Sequence, residues 1–495
     1  MVANVGDVSA HVWSFITDID RSLELSVVHP ELWTLAQIWG DETTTVDPQS
    51  LALFNQRLAR EWSIETGYIE RLYSFDKGVT TTLIDVGFDA AVIPHQSDKS
   101  GEHVAAILQD QVDALDFVLD VVAQGRSLST SFIKELHQLI CRNQHTTEAV
   151  DQFGKLHSTD LLKGEWKRQL NNPTLITGES HEYCPPEHVS TEMDRLIEIH
   201  HSHRAAGVAT EVAAAWLHHR FTQIHPFQDG NGRVARLLAT IVLVQGNLLP
   251  LVVDRDDRTR YLDALESSDG GDLSALIALI VDKETQWLCK ALRASEELTP
   301  STAASPKNLD ESLAALADQL HRKASESVEI QPSLIALTAR LLATVGAEFE
   351  RTRDVLSVTD ALVSWISSAA IDDPIASATR TPSNQHSVGH RTLGRGLNEW
   401  ATLLVAEPFG RPDFEVSFKI AHDGPVRHGV VVASISSRMD SSENASIEAP
   451  NVNHGQQFVF NYLDDFDATT RRFASWLRPT LSLAFERLAV LLKSA

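Results

Sequence analysis

Residues His225–Arg236, reading HPFQDGNGRVAR, gather an imidazole, a carboxylate, a glycine-rich turn and two guanidinium groups into twelve positions. A Gly230-Asn231-Gly232 turn that opens a helix leaves its first backbone N–H groups unpaired and aimed outward, with the positive end of the helix dipole behind them. Such a nest binds anions, phosphate above all. Asp229 beside it can hold Mg²⁺ bridging phosphate oxygens. Arg233 and Arg236, three apart, share roughly one side of the new helix and can fork onto further phosphate oxygens, and the Asn231 amide adds a donor. His225 lies just upstream, where a neutral imidazole can take a proton from an incoming hydroxyl. A lone turn or a lone histidine would mean nothing; together, in this order, they point to phosphoryl or nucleotidyl transfer.

The elements that must position these groups are legible on both sides. Val212–Phe221 and Val234–Val244 read as helices, and Glu102–Val122, Ser129–Arg142 and Glu187–His203 show apolar positions at helical spacing. Upstream, Leu51, Leu53, Phe54, Leu58 and Trp62 recur at three and four, giving one more amphipathic helix that runs toward Tyr73. Gly164–Pro186 breaks the helical period with Asn171-Asn172-Pro173 and Thr177-Gly178, as a short hairpin does. Arg258–Ile280 starts as helix, breaks at Gly270-Gly271 and resumes.

The twelve residues match without a gap the signature H-P-F-x-(D/E)-G-N-G-R-x-x-R, and the chain thereby resembles the Fic (Fido) family, in particular its protein adenylyltransferases. The resemblance implies a mainly α fold: a Fic-type helical bundle with a small β-hairpin flap over residues 49–297. It implies ATP as the donor, Mg²⁺ on Asp229, phosphates on Gly230, Asn231, Gly232, Arg233 and Arg236, and His225 as the base for a Ser, Thr or Tyr hydroxyl of a target protein. The flap would be the Gly164–Pro186 hairpin, with Ile176, Thr177 and Gly178 facing the ligand and its edge pairing with the target backbone. Many members carry an inhibitory segment, (S/T)-x-x-x-E-(G/N). Thr66-Gly-Tyr-Ile-Glu70-Arg71 resembles it, with Arg71 where glycine or asparagine is usual. In the family that glutamate pairs with the second signature arginine, here Arg236, and stands in the place of the γ-phosphate. Glu65 is the rival for the role. The family also sets a Tyr-Tyr pair and an asparagine against the nucleotide; Tyr261 is kept, while Leu262 and Asp269 depart from the pattern. Self-modification and homo-oligomerisation stay open. Alternatives are a Fic enzyme that moves another phosphate-linked group or removes AMP, and a non-catalytic nucleotide-sensing adaptor.

Composition narrows the class further. At 495 residues the chain exceeds one usual core. Its 42 basic and 67 acidic residues give a net charge of −25, which repels nucleic acid and anionic membrane surfaces. The most apolar run, Leu237–Val253, is interrupted by Gln245, Gly246, Asn247 and Pro250 and reads as a buried helix with its exit, not a membrane span. Cys141, Cys184 and Cys289 are widely separated, and the first residues lack a basic region followed by an apolar one, so a reduced, cytoplasmic protein is expected. His200, His201, His203, His218 and His219 have no His-Glu-x-x-His spacing, so zinc is not expected.

The map that results has an N-terminal arm or cap (1–48), the catalytic domain (49–297), a linker (298–308) and a C-terminal α+β domain (309–495). In the last, Leu309–Ser368 reads as helical and Ile371–His390 as a polar connection. Phe414–Ile420, Val426–Ser436 and Gln457–Leu463 read as strands, and Ala468–Ala495 as helix broken at Pro479. No catalytic constellation is visible there.

Overall fold

Local chemistry sets where the helices begin. Proline at the first position, where its missing N–H costs nothing, opens α1 (Pro30–Thr43) and α2 (Pro48–Ile69). Asp76, Ser100 and Ser129 are extended residues whose side chains accept the N–H three positions on, at 2.8, 3.3 and 3.2 Å. They cap α3 (Lys77–Val86), α4 (Gly101–Ala123) and α5 (Thr130–Ile140), each satisfying an otherwise orphaned donor. The computed structural model describes residues 12–20, 29–94, 99–150, 156–173, 180–297, 332–356, 362–367, 398–406, 414–423, 428–439 and 452–494. The 298–308 linker, the 371–390 connection and the flap residues Ile176, Thr177 and Gly178 lie outside them.

The chain divides into two compact units, Met1–Leu32 with Pro48–Leu288, and Trp33–Asp47 with Cys289–Ala495. The first 48 residues are therefore shared between the two units. In the first unit an antiparallel hairpin, β1 (Thr146–Val150) and β2 (Leu156–Asp160), follows α5, pairing Thr146 with Asp160 through Val150 with Leu156. Then come α6 (Pro186–Ala206), α7 (Thr210–Ile224), α8 (Asn231–Gln245), a 3₁₀ turn at Arg255–Asp257, α9 (Arg258–Asp269) and α10 (Ser274–Glu297). The break expected at Gly270-Gly271 separates α9 from α10. Helices α7 and α8 form the centre of this unit. Val212–Phe221 and Val234–Leu243 are buried without interruption, so neither helix shows the one-sided apolar stripe of a surface helix. Leu237–Val253, read from sequence as buried helix and exit, ends α8 and leads into buried Leu248, Leu249 and Leu251–Val253.

In the second unit, α11 (Pro332–Leu356) precedes a five-stranded antiparallel meander: β3 (Leu362–Ser367), β4 (Asn398–Ala406), β5 (Phe414–His422), β6 (Val430–Met439) and β7 (Val452–Asn461), followed by α12 (Phe466–Ser494). Phe414, Val416, Phe418 and Ile420 alternate onto one face and pack with Leu337, Leu341, Val345 and Phe349 of α11 and Phe473, Leu477 and Leu481 of α12. Among the described helices α11 alone is long and apolar enough to cross a membrane, and its apolar side lies in this core. Residues 33–47 join the sheet through Thr34 with Asp464 (2.7 Å) and Glu42 with His428 (2.8 Å).

Two expectations are corrected here. Leu362–Ser367, read as part of a long helix, is the edge strand β3, its Val363 and Trp365 packed on the core by period-two alternation. Pro479 does not break α12. Losing one helical hydrogen bond costs about 3 kcal/mol, and burial of Phe473, Leu477, Leu481 and Ala484 on both sides of it outweighs that loss.

Candidate active site

The loop between α7 and α8 is held by its own backbone, by the Asn231 side chain and by groups from neighbouring segments. His225 ends α7 in the left-handed region (φ 51°), its N–H donating to the Phe221 carbonyl at 2.9 Å. Phe227 is fully buried and stacks on the His137 ring at 3.8 Å. Asn231 then clamps the loop: its Oδ1 accepts the Phe227 N–H (2.9 Å) and its Nδ2 donates to the Phe227 carbonyl (2.8 Å). The Asn231 amide thus braces the loop, giving one of its two Nδ2 hydrogens to Phe227. Gly230, at φ 81°, opens α8; a Cβ there would lie 2.8 Å from the Cys141 sulfur, so both conformation and space demand glycine. From the preceding segment the Lys167 N–H donates to the Pro226 carbonyl (2.8 Å) and Asn171 Nδ2 to that of Phe227 (2.8 Å).

His225 Nδ1 lies 3.2 Å from the Thr222 carbonyl. A carbonyl only accepts, so Nδ1 carries the proton and Nε2 presents its lone pair. Tyr183 stacks on the ring at 3.8 Å and 9°, and is itself fixed by Asn172 Oδ1 accepting its N–H at 3.0 Å. Burial, then the nearby Lys167 ammonium, pushes the imidazole down to about 3. The imidazole is therefore neutral at pH 7. Burial likewise raises the Tyr183 hydroxyl to about 12. Tyr183 was not foreseen; no spacing in the sequence ties it to His225.

The other end of the loop is charged. Asp229 Oδ1 accepts the Gly230 N–H (2.6 Å), and its Oδ2 accepts Gln144 Nε2 (2.7 Å) and Thr147 Oγ1 (3.1 Å). Burial disfavours its charge, but Arg233, Gln144, Gly230 and Thr147 outweigh this and hold the carboxyl below its usual range. Arg233, 1% exposed, donates to Gln144 Oε1 (2.5 Å), and its Nε and second amino group are buried without a hydrogen-bond partner. Gln144, which no motif marks, thus bridges Asp229 and Arg233. The fully buried Arg236 donates to Glu70 Oε1 at 2.6 Å, to the Thr66 carbonyl at 3.3 Å and to the Tyr261 hydroxyl at 3.3 Å. Burial opposes the Arg236 charge, and Glu70 together with Tyr261 outweighs it, so its pKa rises. A Cβ on Gly232 would fall 2.4 Å from Glu70 Oε1. The Glu70 carboxylate thus lies directly on the turn that opens α8.

Geometry separates the two glutamates that sequence could not. Glu65 is engaged by Arg255, whose side chain and N–H both donate to it, at 2.5 and 2.8 Å. Glu70, one residue past the end of α2, reaches Arg236. Arg71 then takes the left-handed region (φ 57°), and the Leu72 N–H closes back on the Gly67 carbonyl at 3.0 Å. Glycine or asparagine is the usual residue at such a helix exit because others incur about 1–2 kcal/mol of strain there. Arg71 thus stands in the left-handed conformation that glycine or asparagine adopts more readily.

Tyr261, expected against a nucleotide, is buried, with its hydroxyl on Arg236 and on His218 Nε2 (2.9 Å). The helix-borne histidines have separate surroundings. His203 meets Asp18 at 2.6 Å and His219 meets Asp269 at 2.9 Å. His200 is buried, with neither ring nitrogen in a hydrogen bond.

The chain was compared with known proteins. Residues 127–243 match the Fic/DOC family. A protein adenylyltransferase Fic of Aedes aegypti is 35% identical over 86 residues, 17% of each chain. Those of Drosophila willistoni and Nematostella vectensis are 28% and 24% identical, over 56% and 48% of this chain. This chain spans about half the length of the latter two, 54% and 52%, and a smaller share of the mosquito protein. Among solved structures, a Fic-domain signalling protein from Bacteroides thetaiotaomicron aligns over 54% of this chain and 97% of its own, at 24% identity and a TM-score of 0.45. Fic-1 from C. elegans aligns over 56% and 74%, at 17% identity and a TM-score of 0.41.

Proposed function

We propose that this chain, whose residues 127–243 match the Fic/DOC family, is a protein adenylyltransferase that moves AMP from ATP to a Ser, Thr or Tyr hydroxyl of a protein, and that it restrains itself through Glu70. The observation that carries the reading is one loop with a neutral, lone-pair-bearing imidazole at one end and an arginine-flanked N–H nest at the other.

In this reading the α- and β-phosphates lie on the N–H groups of Gly230, Asn231 and Gly232, with Arg233 and Arg236 neutralising the departing charge. The unpartnered Arg233 nitrogens are donors awaiting such an anion. The ionised Asp229 carboxylate before the nest suits Mg²⁺, which takes one or two protein carboxylates and completes its shell with phosphate and water. Asp229 would hold it, and the ion would supply charge neutralisation. His225 Nε2 takes the hydroxyl proton, and Tyr183 keeps the ring flat against its stack. Glu70 competes with the nucleotide for Arg236 and for the space over Gly232. All three cysteines are free and buried, which supports action in a reducing, cytoplasmic setting.

The test uses wild type, Glu70→Gly and Glu70→Gly with His225→Ala, each given Mg²⁺ and ATP labelled at the α-phosphate. Label on protein is expected, stronger in the single variant and lost in the double. Label from γ-labelled ATP alone would mean phosphorylation. No label from either would turn the reading toward another donor, AMP removal or pure nucleotide sensing.

A further inference from the structure

We propose that the groove between α6 and α7 is a receptor for an extended peptide, that the chain's own residues 13–18 occupy it, and that this occupancy holds the His225 ring in place. Naming His225 the base rests on the adenylyl-transfer reading above. The segment runs along both helices. The Trp13 ring stacks on His188 at 5.3 Å and 15°, and Asp18 Oδ1 accepts from His203 Nε2 at 2.6 Å. Those two histidines stand fifteen positions apart on α6, about 22 Å at 1.5 Å per residue. Five residues of chain reach at most about 18 Å when fully extended, so the segment is drawn out nearly straight and the two side chains supply the rest.

The groove reads main chain. Glu192 Oε2 accepts the Ile16 N–H at 2.7 Å, and Trp216 Nε1 and Arg220 Nε donate to the Thr17 carbonyl at 2.9 and 3.3 Å. Gln223 Nε2 donates to the Ser14 carbonyl at 3.3 Å. Glu192, His203, Trp216, Arg220 and Gln223 are all more than nine-tenths buried. A polar side chain tolerates such burial only with a partner, and the segment supplies one to each. Ile16, fully buried, anchors the segment, while Phe15 stays half exposed. Backbone reading of this kind selects an extended peptide with an apolar anchor and an acidic residue two positions on.

The groove is connected to the His225 ring by contiguous side chains. Arg220 Nη1 donates to Gln223 Oε1 and to His219 Nδ1, both at 3.1 Å. Arginine only donates, so His219 carries its proton on Nε2 and gives it to Asp269 Oδ1 at 2.9 Å. The other Asp269 oxygen lies 3.8 Å from His181 Nε2. His181 packs on Tyr183 at 4.8 Å, and Tyr183 is the ring stacked on His225. The His181 N–H also closes on the Pro173 carbonyl at 3.0 Å, so the same network reaches the stem of the expected hairpin. Releasing the segment takes from Arg220 the carbonyl that orients it, and each later contact in the network depends on that orientation.

The test uses the full chain in the Glu70→Gly background carrying Ile16→Asp, which puts a charge in the anchor pocket and ejects the segment. A synthetic peptide of residues 12–20 is then added in trans. Amide hydrogen exchange across residues 181–183 and 219–225 is expected to rise about tenfold in the variant. Transfer of α-label should fall about tenfold while ATP affinity stays within about twofold, because a positioning contact is lost and a binding one is not. The peptide should reverse both changes at one half-saturating concentration. A peptide with Ile16→Asp should fail to do so, and one with Thr17→Val should succeed, since Thr17 is read through its carbonyl. Asp18→Asn in the full chain keeps the anchor and should give a smaller change of the same kind at an unaltered melting temperature, which separates coupling from unfolding. Failure of the peptide to bind would overturn the proposal. So would binding that raises the melting temperature but leaves exchange and transfer at the variant's level, which would make the segment a brace and no more. Absence of α-label transfer in every chain would sink the adenylyl-transfer reading alone, and the exchange measurements would still decide this one.

Discussion

The two ends of the loop from His225 to Arg236 are held by opposite kinds of force. At His225 every restraint is uncharged: a backbone carbonyl on Nδ1, a stacked tyrosine and burial that keeps the ring neutral. At Arg236 the restraint is an ion pair with the chain's own Glu70. In the adenylyl-transfer reading proposed above, control belongs to this end, where the nucleotide competes with the Glu70 carboxylate for Arg236.

The comparison can be broken most severely at the base. His225→Ala should lower transfer about 10²–10⁴-fold while leaving nucleotide affinity nearly unchanged, measured as single-turnover rate against equilibrium binding. An undiminished rate would remove the base assignment. At the other end, Glu70→Gly should raise transfer about ten- to a hundredfold, the worth of a charged hydrogen bond of roughly 1.5–3 kcal/mol. The same variant leaves buried Arg236 without its carboxylate, so its melting temperature should fall and recover on adding ATP; a Tm insensitive to ATP would contradict an open nest.

Smaller effects sharpen the contrast. Arg71→Gly relieves about 1 kcal/mol of left-handed strain, so it should favour the closed Glu70 contact and lower basal transfer about fivefold. A rate that rises instead would mean the turn does not hold Glu70. Acid should affect stability before it affects the base. His218, His137 and His200 are buried and pushed down by burial, to about 3, 4 and 4. The unfolded chain binds those protons below about 6.5 and the folded one does not, so stability is present above 6.5 and lost as pH falls toward 4. By pH 5.5 the loss should be on the order of 1 kcal/mol per histidine, read as a falling Tm. Meanwhile, the transfer rate of the folded fraction should stay flat. A kinetic pKa near 6.5 would show His225 in an ordinary solvated state.

Much of the site was legible because it is local. Gly230 and Gly232 and the alternation of Phe414–Ile420 are short-range patterns whose physics acts within a few residues. Strand β3 and the unbroken α12 escaped because long-range packing overrode local preference.

The sequence by itself determined which groups stand together: an imidazole, an N–H nest, a carboxylate and two arginines at one spacing, with a glutamate-bearing helix upstream. Only the tertiary structure decided which glutamate meets Arg236, because Glu65 and Glu70 lie on one short stretch and differ by what reaches them. Arg255 takes Glu65 and Arg236 takes Glu70, across 190 and 166 residues of chain. Tyr183 on His225, Gln144 between Asp229 and Arg233, and the inward turn of Tyr261 were decided in the same way. A residue's type fixes which bonds it can make; which partner arrives is set by how distant helices pack, and no spacing along the chain encodes that.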